Sequence, residues 1–207
     1  MSSNLPYNHF MQNKSNMLIV VSGPDRVGKS TLIKQMQDEL GNECIVLHHG
    51  PPPLDQQNIF DFYKEDIRNF VENPGAKYAI FDRAWPCSYI LEQHRRRNAG
   101  HFEDLIDLEL WINDVLDGAV VHLAQLRPWS WSAPLHVEEL KLENPDAAQW
   151  YIRDQYISRM QEHKLYTEQL LSFYEDITCF PNVVLNETTS ATTVLNLCGE
   201  TIERSGT

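Results

Sequence analysis

The run at positions 23–30, Gly23-Pro24-Asp25-Arg26-Val27-Gly28-Lys29-Ser30, constrains this chain more than any other feature. It satisfies G-x-x-x-x-G-K-[ST] in full. Its surroundings are the ones that the motif needs. Before it, Met17–Ser22 (MLIVVS) is continuously apolar and rich in β-branched residues, which predicts a strand buried on both faces. After it, Lys29–Leu40 puts Leu32, Ile33, Met36 and Leu40 on one helical face, and Gly41 is placed to end the helix. A turn between such a strand and helix directs backbone N–H groups inward, and the helix N-terminus adds its positive end, so the run predicts a phosphate cradle. Gly23, Asp25, Val27, Gly28, Lys29, Ser30 and Thr31 are its candidate contacts. Lys29 is placed to reach the β- and γ-phosphates and Ser30 to ligate Mg²⁺, which implies ATP and Mg²⁺ as cofactors.

The rest of the chain alternates strand and helix. Strands are expected at Cys44–His48, Tyr78–Asp82, 119–123 and 183–185. Helices are expected at Ile59–Val71, from Pro86 toward Arg97, at Phe102–Leu116, at 147–174 and at 193–202. Residues 127–146 are rich in Trp, Ser and Pro and carry no clear period, which predicts a lid or functional loop. The βαβα order predicts an α/β fold, with a parallel sheet of about five strands flanked by helices. Residues 17–207 then form a single domain behind a loose tail at 1–16. Ligands of such sheets bind beyond the carboxyl ends of the strands, so Ser22, His48, Asp82 and Asn186 are expected around one cleft.

Composition excludes several classes. The 207 residues include no apolar run long enough to cross a bilayer, and the polar N-terminus is unlike a signal peptide, so a cytoplasmic protein is expected. Cys44, Cys87, Cys179 and Cys198 are scattered without a C-x-x-C pair, as expected for small core residues in a reducing compartment. The net charge of −12 disfavours an extended, non-specific grip on nucleic acid. It leaves room for a small anion held by a few convergent cations.

A second landmark is Phe81-Asp82-Arg83, at the end of the third expected strand. A carboxylate there faces the phosphate loop, where it can ligate Mg²⁺ or accept a proton from an attacking hydroxyl. Arg83 beside it can hold an acceptor or a phosphate, and Arg26 inside the loop can neutralise charge on a phosphoryl group in flight. With the run from Gly23 to Thr31, this D-R pair resembles the thymidylate kinase family and its deoxynucleoside kinase relatives, and Ser88 matches a serine usual in that family. The resemblance implies a P-loop nucleotide-kinase fold and in-line transfer from ATP-Mg²⁺ to a deoxynucleotide acceptor such as dTMP. Lys29, Arg26, Asp82 and Arg83 would be catalytic, and Ser30 and Asp82 would organise the metal. It also implies an adenine contact near Thr188, in Asn186-Glu187-Thr188-Thr189, and a homodimer face on Phe102–Leu116, which reads equally well as core.

The sequence departs from that family at Ser22, where a Glu is usual, and at Ala84, where an aromatic or His is usual. The Arg that grips the acceptor phosphate after the second strand is replaced by His48-His49-Gly50-Pro51-Pro52-Pro53. A modified pyrimidine nucleotide, or a 5-hydroxymethyluracil-type base within phage DNA, therefore stands as an alternative acceptor, with DNA as the partner in the second case. A non-catalytic nucleotide-binding protein is a third reading. Asp25, His48, Arg83, Arg95, Trp129 and Arg153 are the candidate acceptor or lid contacts, and Arg159 is a second cation adjacent to the lid. Arg95 lies in the basic run Gln93-His94-Arg95-Arg96-Arg97, and Trp129 and Trp131 are candidates to stack on a base or to anchor the loop. His122, in mid-strand, is expected to be a satisfied core residue.

Overall fold

The computed structural model describes residues 16–48, 59–95, 102–117 and 119–205. Five strands, β1 (Met17–Ser22), β2 (Cys44–His48), β3 (Tyr78–Asp82), β4 (Val120–Gln125) and β5 (Asn182–Leu185), form one sheet in the order β2-β3-β1-β4-β5. Every pairing is parallel. The helices in chain order are α1 (Lys29–Leu40), α2 (Ile59–Val71), α3 (Trp85–Arg95), α4 (Phe102–Leu116), α5 (Trp129–Glu143), α6 (Gln149–Asp176) and α7 (Ala191–Ser205). None of these helices is long and apolar enough to cross a membrane. The expected α/β architecture is therefore the observed one. The expected tail falls mostly, and the segment 49–58 wholly, outside the described residues.

The apolar run of β1 explains its central position. Leu18 and Val20 point into one core, with Phe60, Ile67, Trp85, Leu108, Ile112 and Phe173 from α2, α3, α4 and α6. Ile19 and Val21 point the other way, against Leu32, Ile33 and Met36 of α1 and Val194, Leu195 and Ile202 of α7. A strand sandwiched in this way has no polar face, and each fully buried side chain of this size contributes about 1.5–3 kcal/mol. Because all five strands run in one direction, their carboxyl ends share an edge. The register sets Val21 beside Asp82 and Asp82 beside His48.

The largest correction concerns 127–146. The segment is not an irregular loop: most of it is α5, which packs along α6. Its buried residues are Ser132, His136 and Leu140, spaced at four, so a helical stripe exists. Two of the three are polar, which hides the stripe from a hydrophobic period, and Pro134 within the helix hides it further. Smaller differences lie at element ends. β4 runs to Gln125, α6 spans Gln149–Asp176, and α7 spans Ala191–Ser205. α3 begins at Trp85 and is described to Arg95, with 96–100 outside the described residues. All four cysteines are free, but Cys179 is exposed rather than in the core.

His122 is also corrected. It is fully buried among Trp85, Phe173, Tyr174 and Phe180, yet neither ring nitrogen has a hydrogen-bond partner among the described residues. Its Nε2 lies 3.8 Å from Oε1 of Glu109. That carboxylate is itself buried and accepts hydrogen bonds from Trp85 Nε1, Thr178 Oγ1 and the Cys179 amide, each at 2.9 Å. Burial drives the His122 pKa down to about 3, so the ring is neutral in the folded protein.

Candidate active site

The site grows from the carboxyl edge of the sheet. Gly23 leaves β1 with φ 148°, and a Cβ there would lie 2.3 Å from the carbonyl oxygen of Gln125 at the end of β4. Only a residue without a side chain lets the chain pass so close to the neighbouring strand. The loop then turns into α1, whose N-cap is Gly28 at φ 92°. Lys29 is buried beneath the loop and donates from Nζ to the carbonyls of Gly23 (2.9 Å) and Pro24 (2.6 Å). Burial pulls its pKa down to about 8, and the nearby positive charge of Arg83 acts in the same direction. The ammonium is thus held under strain of charge, ready to gain from an anion.

Two arginines of the site occupy left-handed backbone. Arg26 and Arg83 both have φ 64°, a conformation that costs a non-glycine residue about 1–3 kcal/mol and gathers at functional sites. The Arg83 amide donates to the Val21 carbonyl (3.1 Å), which ties this turn to the central strand. Its guanidinium pairs with the Asp25 carboxylate across the cleft. Burial alone would raise the Asp25 pKa, but the charges of Arg83 and Lys29 outweigh it and leave the carboxyl below its ordinary value. Nδ1 of His48 lies 2.9 Å from Oδ2 of Asp82, which fixes the orientation of the carboxylate.

Together these groups line a cleft of about 760 Å³. One wall is the loop from Gly23 to Thr31, apart from Val27, which is buried below it. The floor is His48, Asp82 and Arg83, and the opposite wall is Leu135, His136 and Glu139 of α5 with Arg159, Glu162, His163 and Tyr166 of α6. Arg159 donates to Glu139 Oε2 (2.7 Å) and Glu143 Oε2 (3.2 Å), and Arg26 pairs with the other oxygen of Glu139. The cleft is therefore lined by cations paired with carboxylates around the loop.

The structure brings together the loop residues, His48, Asp82 and Arg83. Arg153, Trp129 and Thr188 are not among the residues that line this cleft. Arg153 is exposed and meets only its neighbour Asp154 among the described contacts, and Arg159, nearly two turns further along α6, lines the cleft in its place. Trp129 is a packing residue: it stacks on His136 at 4.8 Å, meets His163 edge-on and donates from Nε1 to Tyr156 (2.9 Å). It fastens α5 to α6. The partly exposed Trp131 instead lies under the Arg127 guanidinium, 4.1 Å from the ring centroid, and that guanidinium lies beside Gly28. Thr188 is exposed and not among the cleft-lining residues, and the Arg95 side chain is outside the described set. His136, Glu139, Glu162, His163 and Tyr166 were not among the sequence candidates. They reach the cleft only because α5 and α6 fold back over it, and no local motif marks them.

A scan against protein-family models finds no match, and no curated protein matches significantly. Solved structures do match. The YorR protein of Bacillus subtilis, solved in complex with phosphorylated GDP, has a TM-score of 0.56 at 16% identity, over 87% of this chain and 95% of its own. Polyphosphate kinase 2 of Arthrobacter aurescens TC1 gives 0.59 at 11% identity, over 97% of this chain and 71% of its own. A protein assigned as polyphosphate kinase 2 from Pseudomonas aeruginosa PA01 gives 0.59 at 16% identity, and this chain covers 95% of itself but only 44% of that larger one. The chain shares its fold with these structures. At these identities the likeness establishes architecture, and chemistry must be argued from the site.

Proposed function

We propose that this chain is an ATP- and Mg²⁺-dependent kinase that passes the γ-phosphate to a deoxynucleotide-type acceptor. The observation that carries the reading is the convergence, in one cleft, of a complete phosphate loop with the Asp82-Arg83 pair at the neighbouring strand end. That polyphosphate kinase 2 shares this fold supports it. The Ser30 hydroxyl and the Asp82 carboxylate are hard oxygen donors, a set that suits Mg²⁺, which takes few protein ligands and keeps its waters and the phosphate oxygens. When bound, the ion offsets charge on the β- and γ-phosphates.

The chain's own groups do the rest. The loop amides and Lys29 hold the donor, with Lys29 leaving the Gly23 and Pro24 carbonyls for phosphate oxygens. Asp82, oriented by His48, is placed to receive the proton of an acceptor hydroxyl. Arg26 and Arg83 offset charge as the phosphoryl group moves. The α5–α6 wall limits water at the transfer point, which restrains wasteful hydrolysis.

The residue at the end of β2 favours keeping a second acceptor class in view. His48 lines the cleft at the end of β2, after which thymidylate kinases carry a phosphate-gripping Arg that this sequence lacks. A hydroxymethyl group, on a free pyrimidine nucleotide or in DNA, needs a proton acceptor more than a second phosphate clamp. The test is an acceptor panel with γ-labelled ATP and Mg²⁺: deoxynucleosides, deoxynucleoside monophosphates, hydroxymethyl-dUMP, and duplex DNA with and without hydroxymethyluracil. Label in a free deoxynucleotide is the expected result. Label only in modified DNA replaces the first reading by the second, and no acceptor-dependent label refutes both.

A further inference from the structure

Two guanidiniums from distant parts of the chain converge on one carboxylate at the mouth of the cleft. Arg26 belongs to the phosphate loop and Arg159 to α6, and each takes a different oxygen of Glu139 on α5. The side chain of Glu139 is 27% exposed, that of Arg159 24% and that of Arg26 46%, and all three line the same cavity. Arg159 also reaches Glu143, and its Nη1 lies 3.5 Å from Nδ1 of His136, so it is anchored from its own side of the wall. Arg26, held at φ 64° in the loop, has no such second anchor among the described contacts.

A carboxylate gripped through both oxygens by two guanidiniums has the donor geometry of a phosphoryl group gripped through two of its oxygens. We propose that Glu139 is an internal stand-in for phosphate. In the ligand-free protein it occupies Arg26 and Arg159, and a bound triphosphate must displace it to recruit them. Glu139 is thus a positioning residue that holds the phosphate-facing arginines in check and ties α5 to the loop until the third phosphate arrives. This inference rests on the proposed nucleotide chemistry only in taking a triphosphate as the displacing anion.

Three physical points favour displacement over a permanent brace. The contacts are partly exposed, and partly exposed ion pairs are weak enough for a polyanion to compete with. Neither arginine is consumed, since each can pass from carboxylate to phosphate without leaving the cleft. The two arginines come from different elements, so their transfer to one ligand links the loop to the α5–α6 wall, and closure follows from binding.

The experiment compares Glu139→Gln with the natural chain in calorimetric binding of a non-hydrolysable Mg-ATP analogue, Mg-ADP and inorganic tripolyphosphate. The substitution keeps the shape and removes the charge. The expected result is that the triphosphate probes bind about fivefold tighter, the scale of one partly exposed ion pair, while ADP changes by less than half as much. In Arg26→Gln/Glu139→Gln this gain shrinks. A residue serving only to brace the wall would lower stability without changing the preference for triphosphate over diphosphate. The proposal is overturned if Glu139→Gln leaves triphosphate affinity unchanged or weakens it, or if the gain persists in full without Arg26. It is also overturned if neither the natural chain nor the variant binds any of the three probes. Tripolyphosphate binding with no transfer to any acceptor would sink the kinase reading and leave this one standing.

Discussion

Replacing Gly23 by Ala should separate two costs that usually arrive together. At Gly23 the backbone lies at φ 148° and an added Cβ would sit 2.3 Å from the Gln125 carbonyl oxygen. Gly41 supplies the internal control: its φ is 64°, and nothing lies within 4 Å of its Cβ position. Both substitutions force alanine into positive φ, at about 1–3 kcal/mol. Only Gly23→Ala adds a collision, and it is with backbone that cannot rotate away. Relief requires moving either the loop or the end of β4, where the Leu126 amide bonds to Leu185 of β5. Such overpacking costs roughly another 1–3 kcal/mol. Urea unfolding of the two variants, read at constant m-value, should therefore place Gly23→Ala about 1–3 kcal/mol below Gly41→Ala. Nucleotide affinity should fall for Gly23→Ala alone, because the loop amides shift. If the two variants lose equal stability and both bind ADP as the natural chain does, the argument that the motif's first glycine is required by strand proximity fails.

Other consequences can be checked in the same preparations. Because the folded Lys29 pKa, about 8, lies below its ordinary 10.5, the unfolded chain binds the extra proton in between. The ligand-free protein should gain stability as pH rises from about 8 toward 10.5, and nucleotide binding near pH 8.5 should take up a proton, seen by calorimetry in buffers of different ionisation enthalpy and absent in Lys29→Met. His122 works on the acid side: with its folded pKa at about 3, the unfolded state protonates first below about pH 6.5. Stability should fall by up to about 1.4 kcal/mol per pH unit from there toward 3, and His122→Leu should flatten that slope in urea titrations at stepped pH. Asp82→Asn should retain nucleotide binding in the absence of metal while turnover drops by roughly 10²–10⁴, and equal turnover would remove Asp82 from the proton-transfer role.

How much of the site could be read in the sequence depends on how locally each part is encoded. The phosphate loop is contiguous, and its flanking strand and helix are signalled by residues within one or two turns of it. Asp82 and Arg83 were legible because a strand end followed by a charged pair is also a local pattern, and the parallel order of strands then placed them beside the loop. Arg153 and Arg159 read alike in the sequence as cations beside the lid, and of the two only Arg159 lines the cleft. The two lie on one helix six residues apart, and only the direction in which α6 crosses the cleft distinguishes them. For Trp129 the sequence left base stacking and anchoring of the loop equally open. In the folded chain its ring is committed to His136, His163 and Tyr156.

By itself, then, the amino-acid order determined the alternation of buried strands and amphipathic helices, the glycine-containing loop between β1 and α1 and the carboxylate that shares its cleft. These follow from periodicity, from glycine where the chain must pass close to its neighbour, and from the shared direction of parallel strands. Only the tertiary structure decided that α5 is a helix, that α5 and α6 wall the cleft, and that Arg26, Glu139 and Arg159 meet. Those contacts join positions 113 and 20 residues apart, and the buried stripe that makes them is built from Ser132, His136 and Leu140. A polar residue gains from burial there only once a specific partner is in place, and the partner's place is fixed by the packing of the whole chain.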